Sequence, residues 1–208
     1  LTSIDVSNNT ALKELYCYDN QLKSLNVSQN VALKTLSCGN NLLTLLDLSK
    51  NLALEDLRCY GNQFTSLDIS KNTALTFFSC EENQLTSLDV SKNTALTTLY
   101  CYNNQLSTID VSGCVMMTKL SCYGNQLTGL DVSHNTALNT LDCDNNKLTG
   151  LDVSANTALT YLGCEYNQLT SLDVSTVPAI RDAVVNGTKD GSTSDSDYYK
   201  SGQGALRV

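Results

Sequence analysis

No apolar run in the 208-residue chain approaches the ~20 residues that a membrane-spanning helix needs, so no membrane insertion is expected. Positive charge is scarce: 13 Lys and Arg stand against 21 Asp and Glu, for a net charge of −8. That balance disfavours sequence-blind binding to nucleic acid or to anionic lipid. Histidine occurs once, at His134. It shares a column with Lys71, Lys92 and Ala155, and no Ser or Cys nucleophile is placed distinctively beside it, so a surface residue is expected rather than a general base. With no nucleophile–base pair and no ligand cluster in view, neither an enzyme nor a cofactor or metal site is expected. No export signal is visible, and Leu1 already lies in register inside a repeat, so such a signal is expected upstream.

Cysteine, by contrast, is abundant, with nine residues. A disulfide or zinc framework uses irregular or clustered spacings. Here Cys17, Cys38, Cys59, Cys80, Cys101, Cys122, Cys143 and Cys164 each lie 21 residues apart. One column repeated at a fixed period is a packing position, and in-register strands keep equivalent Cβ atoms near ~4.8 Å, wider than a disulfide allows. These cysteines are therefore expected to be reduced thiols acting as small hydrophobes. The ninth, Cys114, falls outside the column beside Val115, Met116 and Met117 and reads as a repacked apolar corner.

The cysteine period is the period of the chain. The unit Leu85 to Gln105 recurs eight times from Leu1 through Gln168 without an insertion, and a ninth begins at Leu169 and decays after Ser175. Constant length is what a stacked coil demands, because each turn must close before the next begins. Each unit holds an echo of itself. One half places Leu85, Leu88, Val90 and Asn93 as L-x-x-L-x-V-x-x-N, and the other places Leu96, Leu99, Cys101 and Asn104 as L-x-x-L-x-C-x-x-N. Both halves resemble the leucine-rich-repeat signature, and the nested 21-residue unit is similar to a bacterial class of such repeats. The resemblance implies a right-handed, β-rich solenoid with parallel in-register strands, little helix, and a second sheet or extended layer opposite the first. It also implies a secreted or cell-surface bacterial protein.

Alternation supports the same architecture. Leu99 and Cys101 point inward with Tyr100 outward, while Leu88 and Val90 point inward from the opposite wall with Asp89 outward. Two asparagine columns fall at the corners: Asn20, Asn41, Asn62, Asn83, Asn104, Asn125, Asn146 and Asn167, and Asn9, Asn30, Asn51, Asn72, Asn93, Asn135 and Asn156. An amide that both donates and accepts can bridge the unpaired backbone groups of adjacent corners. An aspartate column (Asp5, Asp47, Asp68, Asp89, Asp110, Asp131, Asp152 and Asp173, with Asn26 the exception) recurs in every coil. It therefore reads as scaffold rather than as a local catalytic or calcium-binding pair.

The repeat region is assigned to 1–175. Residues 176–208 are expected to form a C-terminal cap or the start of a following module. Thr176 to Val185 reads as a short helix with Pro178 in its first turn, Gly191 to Asp197 as a solvated loop, and 197–208 as a strand, turn and strand.

The outward columns of the Cys-bearing half vary from coil to coil, whereas the other side repeats Ser and Asp. Seven of the ten tyrosines fall on the variable side and none on the Asp side. Tyr, Phe and Arg anchor interfaces because they bring large contact area and hydrogen bonding at modest entropic cost. The candidate ligand-binding residues are Tyr16, Tyr18, Arg58, Tyr60, Phe77, Tyr100, Tyr102, Lys119, Tyr123 and Tyr161. Arg58 and Lys119 are placed to fix an acidic group of the ligand. The function expected is a non-catalytic binding module for a protein or glycan. The alternative is a structural spacer or adhesin stalk, in which the aromatics only stack across strands.

Overall fold

The computed structural model describes residues 1–180 and the backbone of 205–207. Three-residue strands recur at the repeat interval: β1 (Glu14–Tyr16), β2 (Thr35–Ser37), β3 (Asp56–Arg58), β4 (Phe77–Ser79), β5 (Thr98–Tyr100), β6 (Lys119–Ser121), β7 (Thr140–Asp142) and β8 (Tyr161–Gly163). They form one parallel sheet in sequence order, each residue paired with its equivalent one coil on, as in Leu99↔Leu120. Seven 21-residue steps carry the chain from Glu14 to Tyr161. A further strand, β9 (Ala205–Arg207), pairs with β8 in the same sense. It matches the last strand expected from the sequence, and the expected helix begins at 178–180. The rest of that helix, the acidic loop and the first strand and turn of 197–204 lie outside the described residues.

The strands are short because the coil turns a corner every few residues, yet the ladder runs past their ends. The Cys101 N–H donates to the Ser121 carbonyl at 2.9 Å and the Asn103 N–H to the Tyr123 carbonyl at 2.9 Å. Six apolar side chains per coil fill the interior; in the central coil Leu85, Val90, Leu96, Leu99 and Cys101 are fully buried and Leu88 nearly so. The opposite wall is extended but forms no second sheet among the described residues: Asp89↔Asp110 is an isolated bridge there. Valine and its neighbours on that wall pack inward while the backbone turns too soon to ladder.

The turn after the Cys strand depends on a left-handed residue in every coil: Asp19, Asn40, Gly61, Glu82, Asn103, Gly124, Asn145 and Tyr166 all have φ between 51° and 64°. Six of the eight are Asp, Asn or Gly, the residues for which this region costs least. Gly61 and Gly124 each follow, one coil on, an asparagine whose Oδ1 occupies the space that a Cβ would need: Asn40 and Asn103.

The two asparagine columns differ. Asn104 donates to the carbonyls of Cys80 and Cys101 at 3.1 Å each and accepts from the Leu85 N–H at 2.9 Å, so it stitches two coils in both directions. Asn72 donates to the carbonyls of Leu48 and Asn51 at 3.2 and 2.9 Å, but its buried Oδ1 has no protein partner. The same holds at Asn30, Asn51, Asn93, Asn135 and Asn156. The expectation that both columns donate and accept is corrected for the second. Its corner is a tight turn whose N–H groups are already used, Asn72 N–H by the Ile69 carbonyl and Leu75 N–H by the Asn72 carbonyl. Cys114 takes one place in this column, with its Sγ 3.6 Å from the Asn93 carbonyl.

All nine cysteines are free and buried. Burial pushes the thiols upward, Cys17 to about 11 and Cys101 to about 12.

Two outcomes follow for stability. Asn104→Ala strips the Leu85 N–H of its acceptor in a buried place and is expected to cost about 2–3 kcal/mol. Asn72→Ala loses two donated bonds but also removes an unpaired acceptor, and is expected to cost about 1 kcal/mol; exposed Lys71→Ala should change stability little. Urea midpoints of the three variants check this ranking, and equal costs at Asn72 and Asn104 would contradict the asymmetry between the columns. The thiols set a pH limit. An unfolded chain ionises them near their ordinary value of 9.0, and the fold keeps Cys101 neutral to about 12. Their contribution is therefore full below about pH 9 and is lost as pH rises from there toward the folded-state value. Thiolate absorbance should appear together with alkaline unfolding, and native protein at neutral pH should resist alkylation. Thiolate signal in still-folded protein near pH 9 would refute this.

Candidate functional site

The outward sheet face is built from three side chains per coil, two apart, so that each strand contributes alternate residues to one surface. Along the first column stand Glu14, Thr35, Asp56, Phe77, Thr98, Lys119, Thr140 and Tyr161. Tyr16, Ser37, Arg58, Ser79, Tyr100, Ser121, Asp142 and Gly163 form the second. The third holds Tyr18, Gly39, Tyr60, Glu81, Tyr102, Tyr123, Asp144 and Glu165. All ten residues expected to bind ligand therefore lie on one face, though Tyr16 and Tyr161 sit seven steps apart on β1 and β8.

Their exposure is uneven. Tyr16, Tyr18 and Arg58 are exposed, while Tyr60, Phe77, Tyr100, Tyr102, Lys119, Tyr123 and Tyr161 are half-buried against their neighbours. Coils ~4.8 Å apart force rings in adjacent rungs either to stack or to lean aside. Tyr102 stacks on Tyr123 with centroids 4.4 Å apart and planes 9° from parallel. Phe77 meets Tyr100 edge to face at 5.6 Å, and the Arg58 guanidinium lies 4.6 Å from the centre of the Phe77 ring. Tyr60 leans over Gly39, where a Cβ would come within 2.6 Å of its ring. The result is a strip running Arg58–Phe77–Tyr100 beside a second of Tyr60, Tyr102 and Tyr123.

Charge on this face is placed differently from the expectation. Arg58 is not a free anion hook: its Nε and Nη2 donate to the two carboxylate oxygens of Asp56 at 3.0 and 2.9 Å. A strand brings residues two apart to the same side, which makes this pairing local. Lys119 takes part in neither of the ion pairs found among the described residues, Lys34–Glu55 and Arg58–Asp56.

One residue that sequence reasoning passed over is Glu81. It is 7% exposed, and its Oε2 accepts a 2.7 Å bond from the Ser79 hydroxyl. Burial raises its pKa above the usual carboxylate range, opposed by the Ser79 bond. The signal in the sequence was a lone acid between Tyr60 and Tyr102 in a column of rings. Asp142, 1% exposed, is a second buried acid on the face.

The opposite face behaves as scaffold. Each of its aspartates accepts from the backbone N–H of the serine two residues on, as Asp89 does from Ser91 at 2.9 Å, and that bond holds the exposed carboxyl below its usual range. Asn26 makes the same bond to Ser28 at 3.0 Å, so the turn needs the oxygen and not the charge. Leu45, 71% exposed, breaks the Ser pattern here and borders a depression of about 290 Å³ with Asp68 and Lys71. His134 is exposed and touches only Ser133 Oγ among the hydrogen-bond partners described, at 3.2 Å. Among the described residues no group of three His, Cys, Asp or Glu is arranged to hold a metal, and no helix is long and apolar enough to cross a membrane.

No protein-family model matches the sequence, and no curated protein does. Solved structures do. The functional domain of InlJ from Listeria monocytogenes, described as including a cysteine ladder, is 45% identical over 85% of this chain with a TM-score of 0.84. This chain spans 39% of that protein's length. A leucine-rich-repeat protein of Leptospira interrogans (24% identity, TM-score 0.70) and internalin InlF of Listeria monocytogenes (23%, 0.75) each match 83% of this chain and 54% of their own length, and share the fold. The 21-residue coil, the parallel in-register sheet and the buried cysteine column thus point one way: the chain is a leucine-rich-repeat solenoid of the 21-residue class found in these bacterial proteins.

Proposed function

We propose that the chain is a non-catalytic binding module that receives a protein partner on the outward face of β1–β8. Residues 1–175 are the binding solenoid, and 176–208 its cap or the start of a further module. The observation that carries the reading is the asymmetry between the two sides. One repeats a fixed Ser–Asp turn that the coil needs for closure; the other changes its residues from coil to coil and gathers the aromatics and Arg58. A repeat scaffold can vary outward side chains without disturbing its core, so the variable side is where specificity can be written. The resemblance to the Listeria and Leptospira proteins favours a bacterial protein that works outside the cell or on its surface. Burial keeps the nine thiols from presenting a thiolate to solvent.

The spacer reading has one observation in its favour: several rings are engaged with one another across coils, as Tyr102 is with Tyr123, and such pairs stabilise a sheet by themselves. The outward tyrosines, exposed at β1 and half-buried around β5, separate the readings. Tyr16→Ser with Tyr18→Ser, and separately Tyr100→Ser with Tyr102→Ser, are expected to weaken capture of a screened protein partner by about tenfold or more. Asp89→Asn with Asp110→Asn, the exchange already present in this chain at Asn26, should leave capture unchanged. Affinities measured on the purified partner, with thermal unfolding as the check on folding, decide the matter. Loss through the Asp pair with retention in both Tyr pairs would place the interface on the other side.

A further inference from the structure

We propose that Glu81 is the recognition point for a basic side chain of the partner, an arginine guanidinium, received on the rung between Tyr60 and Tyr102. The proposal rests on the binding reading above and sharpens it.

The carboxylate is nine-tenths buried on what is otherwise an outward face. Its rung is the one place in this stretch of the third column without a ring: Tyr60 leans over Gly39, and Tyr102 stacks on Tyr123 while its side chain hydrogen-bonds to Glu81. The pairing that holds these rungs together is continuous, with the Gly61 N–H donating to the Glu81 carbonyl at 2.9 Å and the Glu82 N–H to the Tyr102 carbonyl at 3.0 Å. The acid therefore sits between two aromatic side chains at fixed spacing.

Among the described residues no cation serves it. The Ser79 hydroxyl donates to it at 2.7 Å and the Tyr102 side chain hydrogen-bonds to it. Arg58, the nearest cation along the column to its side, is held bidentately by Asp56. The other titratable groups acting around Glu81 are Glu82 and Cys80 on its own coil, Tyr60 and Cys59 from the preceding coil, and Cys101 from the following one. All of these are acids. A buried carboxylate without a counter-ion is costly unless it is neutralised. A proton can do so, which is the direction in which its titration is displaced; a cation brought by a partner can do so at neutral pH. A guanidinium suits a carboxylate flanked by two tyrosines better than an ammonium does. Its plane stacks on tyrosine faces while its N–H fork meets a carboxylate.

The test uses the folded chain, isotope-labelled for NMR, with Nα-acetyl-arginine amide as probe and Nα-acetyl-citrulline amide as its uncharged isostere. Titration over the millimolar range is expected to give saturable shifts at the Glu81, Glu82 and Tyr102 amides with arginine and none with citrulline. Glu81→Gln should abolish the arginine shifts, whereas Glu82→Gln should retain them. The arginine probe should also lower the midpoint of the Glu81 carboxyl titration, read from its side-chain carbon, and binding should fade as pH falls through that midpoint. Equal shifts with citrulline, undiminished binding to Glu81→Gln, or no saturable shift would overturn the proposal. These results are separable from the wider reading: if a partner is captured through the tyrosine face but arginine amide leaves Glu81 untouched, the face stands and the arginine site falls. If arginine amide binds at Glu81 while both tyrosine pairs are dispensable for capture, the reverse holds.

Discussion

A solenoid coil must turn back on itself without leaving its corner peptides unpaired, and in this chain one asparagine side chain per coil meets that demand. At Asn104 a single amide donates to the Cys101 carbonyl of its own coil and the Cys80 carbonyl of the coil before, and accepts the Leu85 N–H where its own unit begins. The corner is thereby closed and tied to its neighbour in one step. Those bonds fix the position of the left-handed residue just before the asparagine relative to the Cys strand, and they recur from coil to coil. The constant period, the straight cysteine column and the flat register of the sheet all follow from them. An inserted residue would carry the amide away from its partners and leave buried backbone groups without bonds.

The second corner achieves closure by a different route. Its N–H groups are consumed in short-range turns, such as Asn93 N–H to the Val90 carbonyl at 2.9 Å and Leu96 N–H to the Asn93 carbonyl at 3.0 Å. Asparagine there serves as a donor to the coil before it, and its Oδ1 faces a protein interior that offers nothing. This explains why Cys114 can stand in that column: a weakly donating thiol near two carbonyls replaces the one useful half of the amide. No such replacement occurs in the first column, where both halves are in use.

The period made most of the fold legible in the letters alone. Alternation around Leu99 and Cys101 is a property of extended chain, and a column at fixed spacing has to be stacked. What the letters did not carry was whichever depended on the distance between coils. Nothing in Asn72 as against Asn104 reveals that one lacks a donor for its Oδ1, because that is decided by where neighbouring N–H groups have gone. The left-handed column was readable in principle, since Asn, Asp and Gly recur at Asn40, Gly61, Asn103, Gly124 and Asn145, but Glu82 and Tyr166 obscure it. On the face, the ten expected residues do share one surface, yet the pairing of Arg58 with Asp56 and the burial of Glu81 come from rung-to-rung contacts that a single repeat does not contain.

The two sides of the coil show how one chemical group acquires opposite characters from one geometry. Asp89 and Glu81 are both carboxylates on outward columns of the coil. Asp89 stands at a corner, in water, with a backbone N–H to accept, and is held ionised. Glu81 stands two residues past the end of β4, buried between the rungs of Tyr60 and Tyr102, and its charge is disfavoured. A ladder of carboxylates on the first side is therefore self-sufficient and can repeat indefinitely. On the second side Asp56 is met by the Arg58 guanidinium, whereas Glu81 has only hydroxyl partners among the described residues. The two sides thus differ in how much water each leaves to these two carboxylates: Asp89 is held ionised in solvent, and burial displaces Glu81 toward the neutral acid.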